Sequence, residues 1–261
     1  PLPDPSKPVY IMDGKKNPAP LVILANIIKC INVDPEWSDR MQYNEFSHTT
    51  EIKGEDGKWV SMTDDDVIRM MMYVQEEYPF FAKVSKPMLI DSILRSSRRR
   101  IVNPPKDYIL AQKWDKKPRL DRWLFLAFGA PADEIYAAVG SNWMKGLVKR
   151  VLHPGCQFDE VLVLEGDQGA RKSTALRVLG TPWHVETTYS ANDKDFFQIL
   201  AESTIVEFSE GDILTRAGVT AVKALITKLE DKFRAPYARQ PETIKRGCVF
   251  AMTTNDTTYL K

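Results

Sequence analysis

VLVLEGDQGARKSTALRVL, residues Val161–Leu179, decides how this chain is read. It opens with a short, continuously apolar run, Val161–Glu165, of the kind a buried parallel strand needs. A glycine-rich loop follows, and then a helix. The loop string GDQGARKS, Gly166–Ser173, matches G-x-x-x-x-G-K-[ST] except that Arg171 stands in place of the second glycine. Gly166 and Gly169 let the backbone turn tightly enough for successive N–H groups to face phosphate oxygens. Lys172 is expected to neutralise the β- and γ-phosphates of ATP, and the Ser173 hydroxyl to ligate Mg²⁺. The helix from Lys172 onward would present its positive end to the same anion. The expected cradle is therefore Gly166, Asp167, Gln168, Gly169, Ala170, Arg171, Lys172, Ser173 and Thr174. Arg171 fits it only with an ordinary φ and a side chain turned away.

Two further apolar runs downstream, TIVEF (Thr204–Phe208) and CVFAMTT (Cys248–Thr254), extend the α/β texture. Glu207 closes the first and Glu210 follows three residues on, where a carboxylate beside a phosphate loop suits Mg²⁺ or water activation. Taken singly, each carboxylate reads more readily as a solvated strand end than as a functional acid. The second run ends in Thr253, Thr254 and Asn255, which places the Asn255 amide where it could orient the attacking water. Loop, acid and polar tip in that order read as a P-loop ATPase.

Upstream, the texture differs. A Pro-rich lead-in precedes a short apolar helix near Leu21–Cys30, and YNEFSHTTEIKGEDGKWVSMT alternates like a hairpin about Glu55-Asp56-Gly57. Thr63 and Asp66 form a capping pair ahead of a helix that Pro79 ends. Within it, Met70–Met72 reads as core filler. A second helix, about Pro87–Arg99, carries Leu89, Ile93 and Leu94 and finishes in Arg98-Arg99-Arg100. A third, near Asp133–Leu152, places Ile135, Val139, Trp143, Leu147 and Val151 at helical period. The expected division is thus a mostly helical region over 1–150, for DNA binding or oligomerisation, and an ATPase core over 151–261, from about Phe158.

Composition bounds the rest. The 261 residues hold 36 Lys and Arg against 35 Asp and Glu, so any nucleic-acid surface must be local. No apolar run reaches the roughly 20 residues that a membrane helix requires. Cys30, Cys156 and Cys248 lack metal or disulfide spacing, which fits a reducing cytoplasm. His48, His153 and His184 lack zinc-ligand spacing. Tyr108, Trp114 and Trp123 read as packing residues. The start at Pro1 and stop at Lys261 read as those of a fragment.

The combination VLVLEGDQGARKST, IVEFSE, VKALITKLEDKFRAPYARQ and CVFAMTTNDTTYL resembles the virulence-associated protein E family. So does the upstream block PPKDYILAQKWDKKPRLDRWL with HPGCQFDEVLVLEG. The likeness runs from about Asn103 to Leu260. It implies a P-loop protein of phages, plasmids and mobile elements, similar to the superfamily-3, AAA+-like helicases and often joined to a primase. It implies Lys172 and Ser173 as the Walker A pair, Glu207 as the Walker B acid holding Mg²⁺ with Ser173, Glu210 as its companion, and Asn255 as the γ-phosphate sensor. It further implies a homo-oligomeric ring, usually a hexamer, with an arginine from the next subunit completing each ATP site. Two departures stand out: Arg171 where many members have Gly, and an end soon after Asn255, before the Gly-Asn-Arg-Arg-Phe-like segment that usually follows.

In ring helicases the hairpin before the sensor strand faces the central channel. Here that segment, Asp231–Arg246, carries Lys232, Arg234, Tyr237 and Arg239. Cations there suit a phosphate backbone and Tyr237 suits base stacking, while Arg234 or Arg239 suits an arginine finger. Arg98, Arg99 and Arg100 read equally as a DNA contact or as a helix end complementing its dipole. The expected activity is ATP hydrolysis coupled to movement on single-stranded or forked DNA, in a bacterial or phage-infected cytoplasm, with a primase fused or in trans. The rival is a non-motor ATP switch or helicase-loading module. A small-molecule kinase is a distant third, since no acceptor pocket is recognisable.

Overall fold

The computed structural model describes residues 8–187, 194–209, 216–233 and 240–255. The chain divides into two compact units, Pro1–Asn103 and Pro104–Lys261.

The first unit contains α1 (Leu24–Val33), β1 (Met41–Asn44), β2 (Thr49–Lys53), β3 (Trp59–Ser61), α2 (Asp64–Glu77), a single 3-10 turn (Pro79–Phe81), α3 (Lys86–Ser97) and β4 (Ile101–Val102). Its sheet runs β3-β2-β1-β4, antiparallel except where β4 joins β1 in parallel. The region is therefore helices on a sheet, with one more turn than its alternation suggests. The turn about Gly57 is where the sequence places it. The other, between Asn44 and Thr49, is built by the Asn44 side chain, whose Oδ1 accepts from the N–H groups of Phe46 and Ser47 at 3.0 and 3.3 Å.

Thr63 and Asp66 form the expected reciprocal cap of α2: Thr63 N–H donates to Asp66 Oδ2 at 2.8 Å, and Asp66 N–H to Thr63 Oγ1 at 3.3 Å. Met70 is core, but Met72 is exposed, so the methionine run fills the interior only in part. Asp34, buried at the end of α1, accepts from the N–H groups of Glu36 and Trp37 at 2.8 and 3.1 Å. Its other oxygen accepts from the Tyr73 and Tyr78 hydroxyls at 3.1 and 2.6 Å.

The second unit contains α4 (Pro104–Ala111), α5 (Trp123–Phe128), α6 (Glu134–Leu152), β5 (Val161–Glu165), α7 (Lys172–Gly180), β6 (His184–Thr187), α8 (Lys194–Ala201), β7 (Ile205–Phe208), α9 (Arg216–Ile226), β8 (Glu230–Phe233), β9 (Glu242–Lys245) and β10 (Val249–Thr254). Four strands form a parallel sheet in the order β5-β10-β7-β6. On one face, Trp143, Leu147 and Val151 of α6 and Leu176 of α7 pack on Leu162, Leu164, Ile205, Val249 and Ala251. On the other, Phe196 and Leu200 of α8 and Leu225 and Ile226 of α9 pack on Val206, Phe208 and Phe250. The chain is thus a mixed α/β protein with a parallel sheet covered on both sides, which explains why its strands read as continuous apolar runs.

Because α6 contributes to this core, the second compact unit starts well before residue 150, where the sequence texture changes. The apolar period of α6 is buried only in its second half, since Ile135 and Val139 are exposed. A Cβ at Gly146 would fall 2.1 Å from the Phe158 ring, so glycine is what lets α6 close on the chain entering β5. Trp123 stacks on Trp143 with ring centroids 6.0 Å apart, as a packing residue should. Trp114 does not pack; it is 74% exposed. No described helix is long and apolar enough to cross a membrane.

Candidate phosphate-binding site

The site lies where β5, β10 and β7 end and α7 begins. The β5–α7 loop turns at Gly169, φ 84°, and again at Arg171, φ 62° and ψ 27°. Arg171 therefore occupies the left-handed conformation that the motif's glycine would take, which corrects the expectation of an ordinary φ. A side chain there costs about 1 kcal/mol. Arg171, the N-cap residue of α7, makes no side-chain capping hydrogen bond to it.

Lys172 reaches back across the loop. Its ammonium donates to the carbonyl oxygens of Gly166 (2.7 Å) and Asp167 (3.0 Å) and to Asn255 Oδ1 (2.9 Å). The expected Walker lysine and the expected sensor are thus in direct contact, although 83 positions separate them. Ser173 Oγ lies 3.5 Å from Thr253 Oγ1, and Thr253 donates to Glu207 Oε1 at 2.8 Å. His184 Nε2 sits 2.9 Å from Glu207 Oε2. A polar chain therefore runs from α7 through β10 to β7 and β6.

Glu207 is not the exposed strand tip that the sequence suggests. The strand continues through Phe208, and Glu207 is fully buried between in-register neighbours Ala251 and Glu186. His184 and Thr253 occupy both its oxygens, which is what makes burying a carboxylate there tolerable. A cavity of about 430 Å³ opens above the loop, lined by Gln168–Thr174 together with Glu186, Ser209, Thr253 and Asn255. Glu207 lies one hydrogen bond behind it.

Sequence reasoning had not assigned roles to His184, Glu186 or Thr253. Thr253 was visible as part of a polar strand tip. His184 and Glu186 sit in HVET, too short and polar to read as a strand. Their place is set by the register that pairs β6 with β7.

Other expected positions separate. Glu210, Arg234, Tyr237 and Arg239 lie outside the described residues. An antiparallel β8–β9 hairpin does precede β10, and Lys232 is exposed on it. At its base, buried Arg246 grips Asp231: Nε donates to Oδ2 at 3.0 Å and Nη2 to Oδ1 at 2.6 Å. In the first unit, Arg98 lies over the Tyr43 ring at 4.1 Å and Arg100 over Trp59 at 4.8 Å. Arg99 donates to the Asn32 carbonyl at 3.1 Å. All three arginines thus have intramolecular partners.

The second unit defines a class: an α/β protein whose parallel sheet feeds a glycine-rich loop and helix at one end of its strands. The chain belongs to the virulence-associated protein E-like domain family, whose profile matches residues 109–261. That match begins within α4 and so spans nearly all of the second unit. Similar solved structures include two of the C-terminal region of NrS-1, in its apo A form. Each shares 14% identity and covers 84% of this chain, with TM-scores of 0.49 and 0.46. This chain in turn spans 55% and 54% of theirs, about half their length. No curated protein matches the chain.

Proposed function

We propose that the second unit is a P-loop, AAA+-like core that binds ATP with Mg²⁺ at the β5–α7 loop. Hydrolysis there would drive movement on, or unwinding of, single-stranded or forked DNA during replication of a phage, plasmid or other mobile element. The observation that carries this reading is Lys172, whose three hydrogen bonds run to two loop carbonyls and to Asn255 at the mouth of the cavity. An ammonium held by neutral oxygens beside the start of a helix is positioned to exchange one of them for a phosphate oxygen.

The donor set fits the rest of the ligand. Ser173, Thr253 and Glu186 offer hydroxyl and carboxylate oxygens around one cavity, the hard donors that Mg²⁺ prefers. When bound, the ion neutralises charge developing on the β- and γ-phosphates. Lys172 would shield the same phosphates, Ser173 would hold the ion's side of the triphosphate, and Asn255 would sense loss of the γ-phosphate through its contact with Lys172. The β8–β9 hairpin, with Lys232, is assigned to DNA. A hexameric ring, an arginine supplied across subunits, a primase partner and a cytoplasmic setting belong to the same reading through the family.

A second reading, an ATP-dependent switch or loader with little turnover, is favoured by one observation: the expected catalytic acid Glu207 is occupied by His184 and Thr253. Steady-state ATP hydrolysis with Mg²⁺, with and without single-stranded DNA, separates the two. The motor reading expects DNA-stimulated turnover that falls by about 10²-fold or more in Lys172→Ala. ATP binding without turnover selects the switch, and absence of both overturns the nucleotide reading.

A further inference from the structure

His184 opens β6 in register with Ile205 of β7, the strand that carries Glu207. Alternate residues of a strand share a face, so the imidazole and the Glu207 carboxylate lie on one side of the sheet. The His184 side chain is only 6% exposed, and its Nε2 meets Glu207 Oε2 at 2.9 Å. The end of α7 closes on it, since a Cβ at Gly180 would fall 2.9 Å from His184 Cβ. Neither His184 nor Glu207 lines the cavity above the loop, yet hydrogen bonds connect them to it. Glu207 Oε1 accepts from Thr253 at 2.8 Å, and Thr253 Oγ1 lies 3.5 Å from Ser173 Oγ. Thr253 and Ser173 both border the cavity.

The chemistry of these groups gives the chain a direction. An ionised carboxylate only accepts, so the imidazole presents Nε2–H to Glu207. A hydroxyl has a single hydrogen to give. Thr253 gives its own to Glu207, so its contact with Ser173 runs from Ser173 to Thr253. The Ser173 hydrogen is thereby drawn into the protein, and the lone pairs of its oxygen are left for a cation in the cavity. We propose that His184 is a positioning residue for the Mg²⁺ side of this site, acting through Glu207 and Thr253 on Ser173. The inference rests on the nucleotide reading above and concerns binding of the ion, not a catalytic step. Without His184, Glu207 Oε2 loses its donor inside the protein, where an unmade hydrogen bond is costly, and the carboxylate turns to recover one. Thr253 then has its hydrogen free for Ser173, and the Ser173 hydrogen turns toward the cavity, where it opposes a cation.

The test titrates Mg²⁺ against binding of a fluorescent ATP analogue to the full chain, with binding in EDTA measured separately. Replacing a group behind a metal ligand costs about 10–100-fold in metal affinity. His184→Ala should therefore raise the Mg²⁺ concentration for half-maximal binding by about 10-fold or more, while affinity in EDTA stays at the wild-type value. His184→Gln, whose amide can donate to Glu207, should recover most of the loss. Thr253→Val, which cuts the relay at its middle, should raise the Mg²⁺ requirement as well. The double variant His184→Ala/Thr253→Val should raise it no further than Thr253→Val alone. If His184→Ala does not fold, His184→Met, of similar size, takes its place. An unchanged Mg²⁺ requirement in the His184 variant, or effects that add in the double variant, overturns the proposal and leaves the nucleotide reading standing. Wild-type binding of the analogue that does not respond to Mg²⁺ overturns the proposal alone. Failure of the wild type to bind the analogue with or without Mg²⁺ overturns both.

Discussion

Asp34 in the first unit and Asp231 in the second are both buried, and by opposite means. In the first unit, Asp34 is surrounded by neutral donors, two tyrosine hydroxyls and two backbone N–H groups. In the second, Asp231 is gripped by the Arg246 guanidinium, itself also donating to the Leu225 carbonyl. The first arrangement ties α1 to α2 and its following turn without a counter-charge. The second fastens the β8–β9 hairpin to the chain just before β10 begins. Neutral donors join elements of a fold, whereas the ion pair pins a hairpin at the start of the strand that ends in the site.

Breaking the ion pair should have the largest effect. Asp231→Ala leaves a buried guanidinium without its charge partner, which costs about 3–5 kcal/mol. Urea denaturation should show it, with the loss reported by hydrogen exchange in β8, β9 and β10 rather than in the first unit. An unchanged midpoint would mean that Arg246 finds water instead. Asp34→Ala should cost less, about 2–3 kcal/mol, because four donors lose an acceptor but no charge is stranded. Asp34→Asn, which retains an acceptor, should recover part of that. Here the exchange should rise in α1 and α2 only.

Alkali sharpens the comparison further. Burial, with the Asp34 hydrogen bond second, pushes the Tyr73 hydroxyl up to about 12. Burial likewise raises Tyr78 and Tyr10, and lifts the Cys30 thiol to about 11. In the second unit the corresponding described group is Cys248, raised by burial to about 11. Each folded pKa lies above its unfolded value, so the stability it reflects is complete below the ordinary thiol and phenol pKa values. That stability is lost as pH climbs through the raised ones. Among the described residues the first unit has four such groups against one, so it should open first between about pH 9 and 12. Limited proteolysis across that range should place the earliest cuts before Asn103. Cuts appearing first in the second unit would sink the argument.

The same contrast governs what could be read in advance. The candidate phosphate loop was legible because the chemistry proposed for it is local: its glycines, lysine and serine fall within eight consecutive residues. β5, β7 and β10 were legible because a sheet covered on both faces demands apolar runs. β6 was not, because HVET becomes a strand only through pairing with β7, and no local pattern encodes Glu186 lying beside Glu207. The burial of Glu207 was hidden for a similar reason, since the groups that satisfy it, His184 and Thr253, come from two other strands. The run Arg98–Arg100 reads by composition equally as a DNA contact or as a helix end complementing its dipole. In the fold, Tyr43, Trp59 and the Asn32 carbonyl engage it.

Arg171 offers the smallest and most local test, and it belongs to the second unit alone. Its φ of 62° is one that glycine takes freely and an L side chain does not. Arg171→Gly relieves a steric cost of about 1 kcal/mol but adds freedom to the unfolded chain, so the net gain should be under about 1 kcal/mol. Arg171→Ala is the control, since it removes the guanidinium and keeps the Cβ that causes the strain. Thermal melting should rank Gly above both Arg and Ala. Exchange protection should rise in the loop and the first turn of α7 while the first unit stays unchanged. If Ala stabilises as much as Gly, the arginine's charge near Lys172, and not its backbone, is what destabilises the loop.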